Sequence, residues 1–408
     1  MSKPLHILQL APRLPYPLDD GGRIGMYNIT KHVAALGHRI TMLAYGSKHA
    51  DTGDIGSFCE LRIIEHDTGN RISGALRNVW SPLPYTMTKY RSAALQRGLQ
   101  ELLGTCSIDV VHVDHIHLAF YGALLQRHYG LPYVLREHNF ETTIHRRYAE
   151  SKAPPLSWYL KSQAQRLYKY ESEQLRYPDI IAAITEEDAE AMRTVSDREV
   201  RVIPAGVDIA SFANTGEQRN EAHVVLLGSL QWSPNLDAAS WFVDSIWPLI
   251  VQKYPQARCT IAGSHPPASL KRRENASLHV AGFVDDLDEL LSRASVLAIP
   301  LRIGGGMRIK LLEFFARGKA VVSTSIGAEG NCATDGKELL IADSAEQFAS
   351  AVVTLLRNPD LASRIGGNAR MLVEQQYSCR RMAEEFEHAY YAAMSMAERR
   401  GEKHHSEH

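Results

Sequence analysis

The chain has 408 residues, 45% of them hydrophobic, and sets 45 Lys and Arg against 46 Asp and Glu for a formal net charge of -1. That length exceeds one ordinary core and predicts two domains of about 200 residues each, while the near-neutral balance offers no electrostatic footprint for a nucleic acid, so none is expected as a partner. No run approaches the roughly 18 apolar residues of a spanning helix, and the five cysteines are scattered without a CxxC pair, which argues against a disulfide framework or a zinc site.

In chain order, MSKPLHILQLAPRLP runs straight into strand-like sequence with no apolar leader and cleavage site, so a cytoplasmic location is expected. Strands are predicted at His6 to Leu10, Ile40 to Ala44, Asp109 to Val113, Tyr133 to Arg136, Ile180 to Ile184 and Val200 to Ile203. After the first comes APRLPYPLDDGGRIG, in which Gly21 and Gly22 precede a helix from about Ile24 to Leu36. Its spacing is wrong for the G-x-G-x-x-G of a nicotinamide binder. A glycine turn there suits the far side of a diphosphate. VHVDHIH holds three histidines, but their uneven alternation along a strand does not place three metal ligands on one face, and no metal is expected. His138 follows a strand in YVLREHNFE, a position open to packing or to function. From Arg71 to Arg176 the chain carries fourteen Lys and Arg against eight Asp and Glu. Such a bias suits a solvated surface, an anionic acceptor or the anionic inner face of a membrane on which the protein would sit peripherally.

The polar, strand-free stretch between Pro204 and His223 predicts a first domain over 1–205 and a second over 206–385. A last helix over 386–408 is expected to cross back to the first domain and to end in a disordered GEKHHSEH tail. Strands of the second half are predicted at Val224 to Leu227, Cys259 to Ala262, His279 to Ala281, Val296 to Ile299, Ala320 to Ser323 and Leu339 to Ile341. Strands alternating with helices throughout give an α/β chain of two Rossmann-like domains, facing each other across a ligand cleft.

One stretch concentrates chemistry. In PLRIGGGMRIKLLEFFARGKAVVST, Gly304, Gly305 and Gly306 lie where a strand hands over to a helix, and helical spacing runs from Met307 to a stop at Gly318. Free amides and a positive dipole end make that junction an anion site. Arg308 and Lys310 add cationic donors suited to a phosphate. Glu313 interrupts four apolar residues, and a buried carboxylate needs partners; two ribose hydroxyls would serve. A nucleoside diphosphate is the expected ligand. A surface ion pair between Lys310 and Glu313, three residues apart, is the simpler alternative.

These residues carry a resemblance. HILQLAPRLPYPLDDGGRIGMYNITKHVAALGHRIT, IPAGVDIASF, GSLQWSPNLDAASWF, AGFVDDL, PLRIGGGMRIKLLEFFARGKAVVST and GKELLIAD, in that order, resemble family 4 retaining glycosyltransferases of the GT-B fold, closest to a bacterial exopolysaccharide-type subgroup. The resemblance implies a metal-independent, retaining hexosyltransferase with no cofactor. It would use a nucleoside diphosphate sugar as donor and a hydroxyl of a saccharide or lipid-linked acceptor, in polysaccharide or glycoconjugate biosynthesis. It implies that Glu313 holds the ribose, that Phe283 and Val284 meet the base through the main chain, and that His138 lies near the reacting sugar. The family's first glutamate is Gly305 here, so the amides of Gly305, Gly306 and Met307 are left to face sugar and phosphate. The family's basic pair after the first strand of the second domain is also absent from GSLQWSPN, which leaves Lys310, and less directly Arg308, to supply the positive charge. A GT-B epimerase, or a non-catalytic nucleotide-sugar-binding subunit of a synthetic complex, would share the nucleotide site.

Overall fold

A computed structural model describes residues 3–18, 20–78, 80–150, 152–212, 222–304 and 306–406, so Gly305 lies outside the described residues. The chain divides into two units, one of residues 1–206 with 379–408 and one of residues 207–378. The sequence reading puts the return to the first unit at 386, seven residues later than the structure does. Burial explains the difference. The last helix, Cys379–Ser406, already buries Cys379 and Met382 in the first unit before Phe386, Ala389, Tyr390 and Ala393 follow. It also continues through most of the tail expected to be disordered, since no proline or β-branched residue interrupts it after Ala392.

Among the described residues the first unit builds seven parallel strands: β1 (His6–Ala11), β2 (Arg39–Tyr45), β3 (Glu60–Ile64), β4 (Val110–Asp114), β5 (Tyr133–Glu137), β6 (Ile180–Ala183) and β7 (Glu199–Val202). Their order is β3-β2-β1-β4-β5-β6-β7. Alternate residues serve opposite faces, as the two-residue period of a strand requires. Leu8, Leu10, Leu43, Val111 and Val113 join one core, and Ile7, Ile40, Met42, Val110 and Val134 join another with the helix Gly21–Ala35 and the last helix. Strand β3 is absent from the sequence reading. It is an edge strand paired only with β2, and its Glu60 and Arg62 read as surface.

The second unit builds six parallel strands among its described residues: β8 (His223–Leu227), β9 (Arg258–Ala262), β10 (Leu278–Gly282), β11 (Val296–Ile299), β12 (Val321–Ser323) and β13 (Leu340–Ile341), in the order β10-β9-β8-β11-β12-β13. The carboxyl ends of its central strands are drawn tightly together. Gly228 N–H donates to Ala262 O at 3.0 Å and Gly263 N–H to Gly282 O at 2.7 Å. A Cβ on Gly263 would lie 2.0 Å from the Gly228 carbonyl oxygen, a backbone atom with nowhere to go. Gly263→Ala is therefore expected to destabilise this unit by about 3 kcal/mol in denaturant unfolding. Gly367→Ala, inside the helix Pro359–Gln376 with open space around it, should be neutral or stabilise by up to about 1 kcal/mol. Equal effects of the two substitutions would refute the close-approach argument.

Candidate functional site

The glycine stretch folds as its grammar predicts. β11 ends at Ile299, Gly304 (φ 147°) and Gly306 (φ 75°) take conformations that favour glycine, and the helix Ile309–Ala316 follows, stopped by Gly318 (φ 67°). Arg308 is the residue before the helix, and no side chain caps the first amides. The Arg308 guanidinium is buried where a side chain at Gly304 would stand, since a Cβ there would lie 2.3 Å from Nη2. Burial lowers its pKa, with Glu329 opposing.

Lys310 reaches across to the neighbouring strand. Its Nζ donates to Leu227 O at 3.1 Å and to Asn235 Oδ1 at 3.0 Å, and Asn235 Nδ2 donates to Ser229 O at 2.9 Å. Gly228, at the turn between them, has no room for a side chain because Asn235 stands there. The loop after β8 has no basic residue of its own, and the structure brings one to it from the helix after β11. Burial pushes the Lys310 ammonium down to about 8, with nearby Arg308 lowering it further and Glu313 opposing. Glu313, half-buried on the same helix, has its carboxyl raised by burial against the pull of Arg317 and Lys310. Met307 is half-buried at the mouth of the helix. Phe283 and Val284 follow β10 at the same sheet edge, and Phe283 is 75% exposed.

In the first unit the helix starts at Gly21, earlier than the predicted Ile24, because Asp20 caps it and accepts from Gly22 N at 2.9 Å and Arg23 N at 3.1 Å. Asp20 also pairs with Arg13 at 2.6 Å. The Gly22 amide thus donates to the Asp20 carboxylate. What Gly22 contributes is space: a Cβ would lie 2.7 Å from Arg13 Nη2 and 3.5 Å from His138 Cε1.

His138 sits at the end of a buried chain of polar contacts. Arg136 Nη1 donates to His138 Nε2 at 2.6 Å and to Asp114 Oδ1 at 3.0 Å. Gln9 Nε2 donates to Asp114 Oδ2 at 2.7 Å, and Thr30 Oγ1 donates to Gln9 Oε1 at 2.8 Å. The His115 ring lies 5.0 Å from His138 and 4.0 Å from His117, and His115 Nε2 is 3.4 Å from Glu141 Oε1. His115 adopts a φ of 76°, rare outside glycine. His112 turns into the core, where Nδ1 meets Tyr390 OH at 2.7 Å. Among the described residues no group of three His, Cys, Asp or Glu is placed to hold a metal ion. Burial, reinforced by Arg136, His115 and Arg13, keeps His138 well below the usual imidazole range. On the other side of the strand Glu137 is fully buried and held far above the usual carboxylate range by burial and by Glu171 and Glu141.

Sequence reasoning gave no role to Asp20, Arg13, Asn235 and Arg136, and weighed Asp114 only within the VHVDHIH metal reading. Arg136 and Asp114 left a signal as charges in the apolar strands YVLRE and VVHVD, and Asp20 as a cap residue before two glycines.

The chain matches the model of Glycosyltransferase Family 4 over residues 20–211 and that of Glycosyl transferases group 1 over residues 221–358. Among solved structures it is similar to a sucrose-phosphate synthase from Thermosynechococcus elongatus (TM-score 0.69, 16% identity, 96% of this chain and 100% of that one). It is similar to Anabaena HepE in complex with UDP (TM-score 0.66, 13% identity, 95% and 100%). A third is WaaG, a glycosyltransferase involved in lipopolysaccharide biosynthesis (TM-score 0.62, 15% identity, 93% and 98%). At such identities these likenesses establish the fold. A curated relative, an uncharacterized 44.6 kDa protein in the cps region of Klebsiella pneumoniae, is 23% identical over 172 residues, 40% of this chain and less than half (44%) of the relative's length. With the two models side by side along the chain and GT-B neighbours over nearly all of it, the protein belongs to the family 4 glycosyltransferases of the GT-B fold.

Proposed function

We propose that the protein is a retaining hexosyltransferase that moves a sugar from a nucleoside diphosphate donor to a hydroxyl of a saccharide or lipid-linked acceptor, in the assembly of a polysaccharide or glycoconjugate. The observation that carries this reading is the Lys310 ammonium, set beside the uncapped start of a helix and the loop after β8, where it donates to neutral oxygens while the nearby Glu313 favours its charge. HepE has been solved with UDP and with UDP-glucose, which makes a uridine diphosphate sugar the first donor to test. WaaG and the cps-region relative support the polysaccharide setting.

In the reaction the bond from the anomeric carbon to the diphosphate breaks and the acceptor oxygen bonds to the same face of that carbon. The acceptor's proton passes to a phosphate oxygen. Negative charge grows on the leaving diphosphate, and Lys310, Arg308 and the amides at Gly306 and Met307 stabilise it without a divalent metal. His138 serves the transferred sugar as a hydrogen-bonding group. The decisive assay incubates the purified protein in EDTA with uridine diphosphate sugars and a hydroxyl acceptor, and reads the product's anomeric configuration by NMR. A retained configuration is expected; an inverted product, or donor converted to an isomer with no transfer, would overturn the reading.

Glu313→Ala should weaken binding of the donor nucleotide by about 10- to 100-fold in calorimetry, through loss of charge-assisted contacts to ribose. Unchanged affinity would end the ribose assignment. Lys310 sets a proton signature. The empty site holds its lysine proton only to about pH 8, and a bound diphosphate raises that pKa. Above pH 8 binding must therefore take up protons and affinity must fall as pH rises. Calorimetry at pH 9 in buffers of different ionisation enthalpy should show uptake in the wild type and none in Lys310→Met.

The first unit also exposes Trp80 (92%) and Trp158 (68%), with Arg77, Arg147, Lys152 and Lys161 exposed near one or the other in sequence, and no helix described is long and apolar enough to cross a membrane. Exposed tryptophans with cations near them in sequence fit an anionic lipid surface. Vesicles with anionic lipid should sediment the protein at low salt, less so at moderate salt, and less with Trp80→Ala and Trp158→Ala together; no binding at low salt removes the idea.

A further inference from the structure

We infer that Arg136 is a positioning residue that sets His138 as the neutral tautomer with its proton on Nδ1, so that His138 acts on the sugar as a hydrogen-bond donor and not as a base. The inference rests on the reading of His138 as a group of the transfer site, and it names the state in which that group works.

The argument begins with what an arginine can do. A guanidinium has five N–H donors and no acceptor, and it does not lose its proton in proteins. An imidazole nitrogen 2.6 Å from Arg136 Nη1 must therefore accept, and a nitrogen that accepts carries no proton. With Nε2 so occupied, the single proton of a neutral ring resides on Nδ1. Double protonation would require two donors to face each other at that distance.

Arg136 is in turn held rigidly. Its side chain is 3% exposed and pairs with Asp114, which is 0% exposed. The far oxygen of Asp114 accepts from Gln9, whose own amide oxygen accepts from Thr30 on the helix Gly21–Ala35. The same hydroxyl lies 2.7 Å from Met26 O in the same helix and shares its one proton between the two acceptors. From the other side Gly25 closes on the guanidinium, since a Cβ there would lie 2.7 Å from Nη2. The helix thus confines Arg136 both through a chain of hydrogen bonds and through the side chain it lacks. Residues on β1, β4, β5 and the first helix converge on one ring nitrogen of His138. A packing histidine would need none of this.

The charges that face His138 set its pH behaviour. Arg136 from β5, His115 from the turn after β4 and Arg13 from the loop after β1 disfavour a positive ring, and Asp114 favours it. Asp114 is held far below the usual carboxylate range by His112, Arg136 and His138 together, despite its burial. Its charge is shared between His112, whose Nε2 lies 3.4 Å from Oδ2, and Arg136. Removing Arg136 takes away a repelling cation and frees that carboxylate to draw a proton onto the ring, so the His138 pKa rises.

The first experiment needs no activity. Long-range 1H–15N correlation on uniformly labelled wild-type protein at pH 7 reads the protonation of each ring nitrogen, with His138 assigned by its loss in His138→Asn. The expected pattern is a protonated Nδ1 and an unprotonated Nε2, the reverse of the tautomer favoured by free histidine. A proton on Nε2, or on both nitrogens, overturns the inference whether or not the protein proves to be a transferase. Kinetics then tests the consequence. Arg136→Gln should lower kcat by about 10- to 100-fold with little change in donor KM, and should move the acid limb of the pH–rate profile up by about one unit or more. Arg136→Lys, which keeps the charge and one donor, should restore much of the profile. Gly25→Ala displaces the guanidinium without removing it and should reproduce the kcat loss; if both Arg136→Gln and Gly25→Ala leave kcat and the acid limb unchanged, Arg136 does not position the ring. Absence of transfer by the wild type would refute the proposed function and leave the tautomer result standing.

Discussion

A strand that runs parallel to its neighbours must release the chain at the same edge as they do, and in each unit this single constraint decides where chemistry is able to gather. In the second unit β8, β9, β10 and β11 end at Leu227, Ala262, Gly282 and Ile299, so the loops carrying Gly228, Gly263, Phe283 and Gly304 all emerge at one edge. In the first unit β1, β4 and β5 end at Ala11, Asp114 and Glu137, which delivers Arg13, His115 and His138 together although they are far apart in sequence. The alternating burial of Ile7 and Leu8 or of Val224 and Val225 on opposite faces keeps each sheet sandwiched and its strand ends in register.

Two buried or half-buried cations in these clusters are handled in different ways. Arg136 is neutralised by Asp114 at 3.0 Å, and the pair has further donors to satisfy it. Lys310 meets the carbonyl of Leu227 and the amide oxygen of Asn235, dipoles that orient the ammonium without cancelling its charge. A charge held by dipoles in a partly desolvated place keeps a long-range field that a neutralised pair lacks, and hydrogen bonds to charged groups are worth about 1.5–3 kcal/mol each. The first arrangement makes a rigid scaffold, the second an electrostatic receptor.

Much of this was legible in the sequence because it depends on local rules. The run VLAI followed by Gly304 to Gly306 and an apolar helix stopped by Gly318 is a strand, turn and helix on periodicity and glycine placement alone, and it appears as β11 and Ile309–Ala316. The edge strand β3 was not legible, since Glu60 and Arg62 give it the look of a surface loop and only its pairing with β2 makes it a strand. The start of the first helix was misplaced because Asp20 and the two glycines fit a turn as well as a cap, and the capping geometry decides between them. The targets of Lys310 were hidden for a different reason. Leu227 and Asn235 lie more than seventy residues away, and no local pattern says which carbonyl a long flexible side chain will find.

The path of the chain has a consequence for how the protein is made. The first unit is discontinuous: His112 of β4 completes its environment with Tyr390 and Phe386, and the core containing Ile7, Met42 and Val110 closes only when the helix Cys379–Ser406 docks. The second unit, 207–378, is one unbroken segment. On the ribosome, synthesis proceeds from the amino end, so the strands of the first unit must wait, with the part of one sheet face not covered by the helix Gly21–Ala35 left open, while the whole of the second unit is translated and free to fold. At about 5–20 residues per second that interval lasts on the order of ten to forty seconds. During it an apolar β-sheet surface is open to holding chaperones or to self-association, and the final helix acts as the late clasp that ends this exposure.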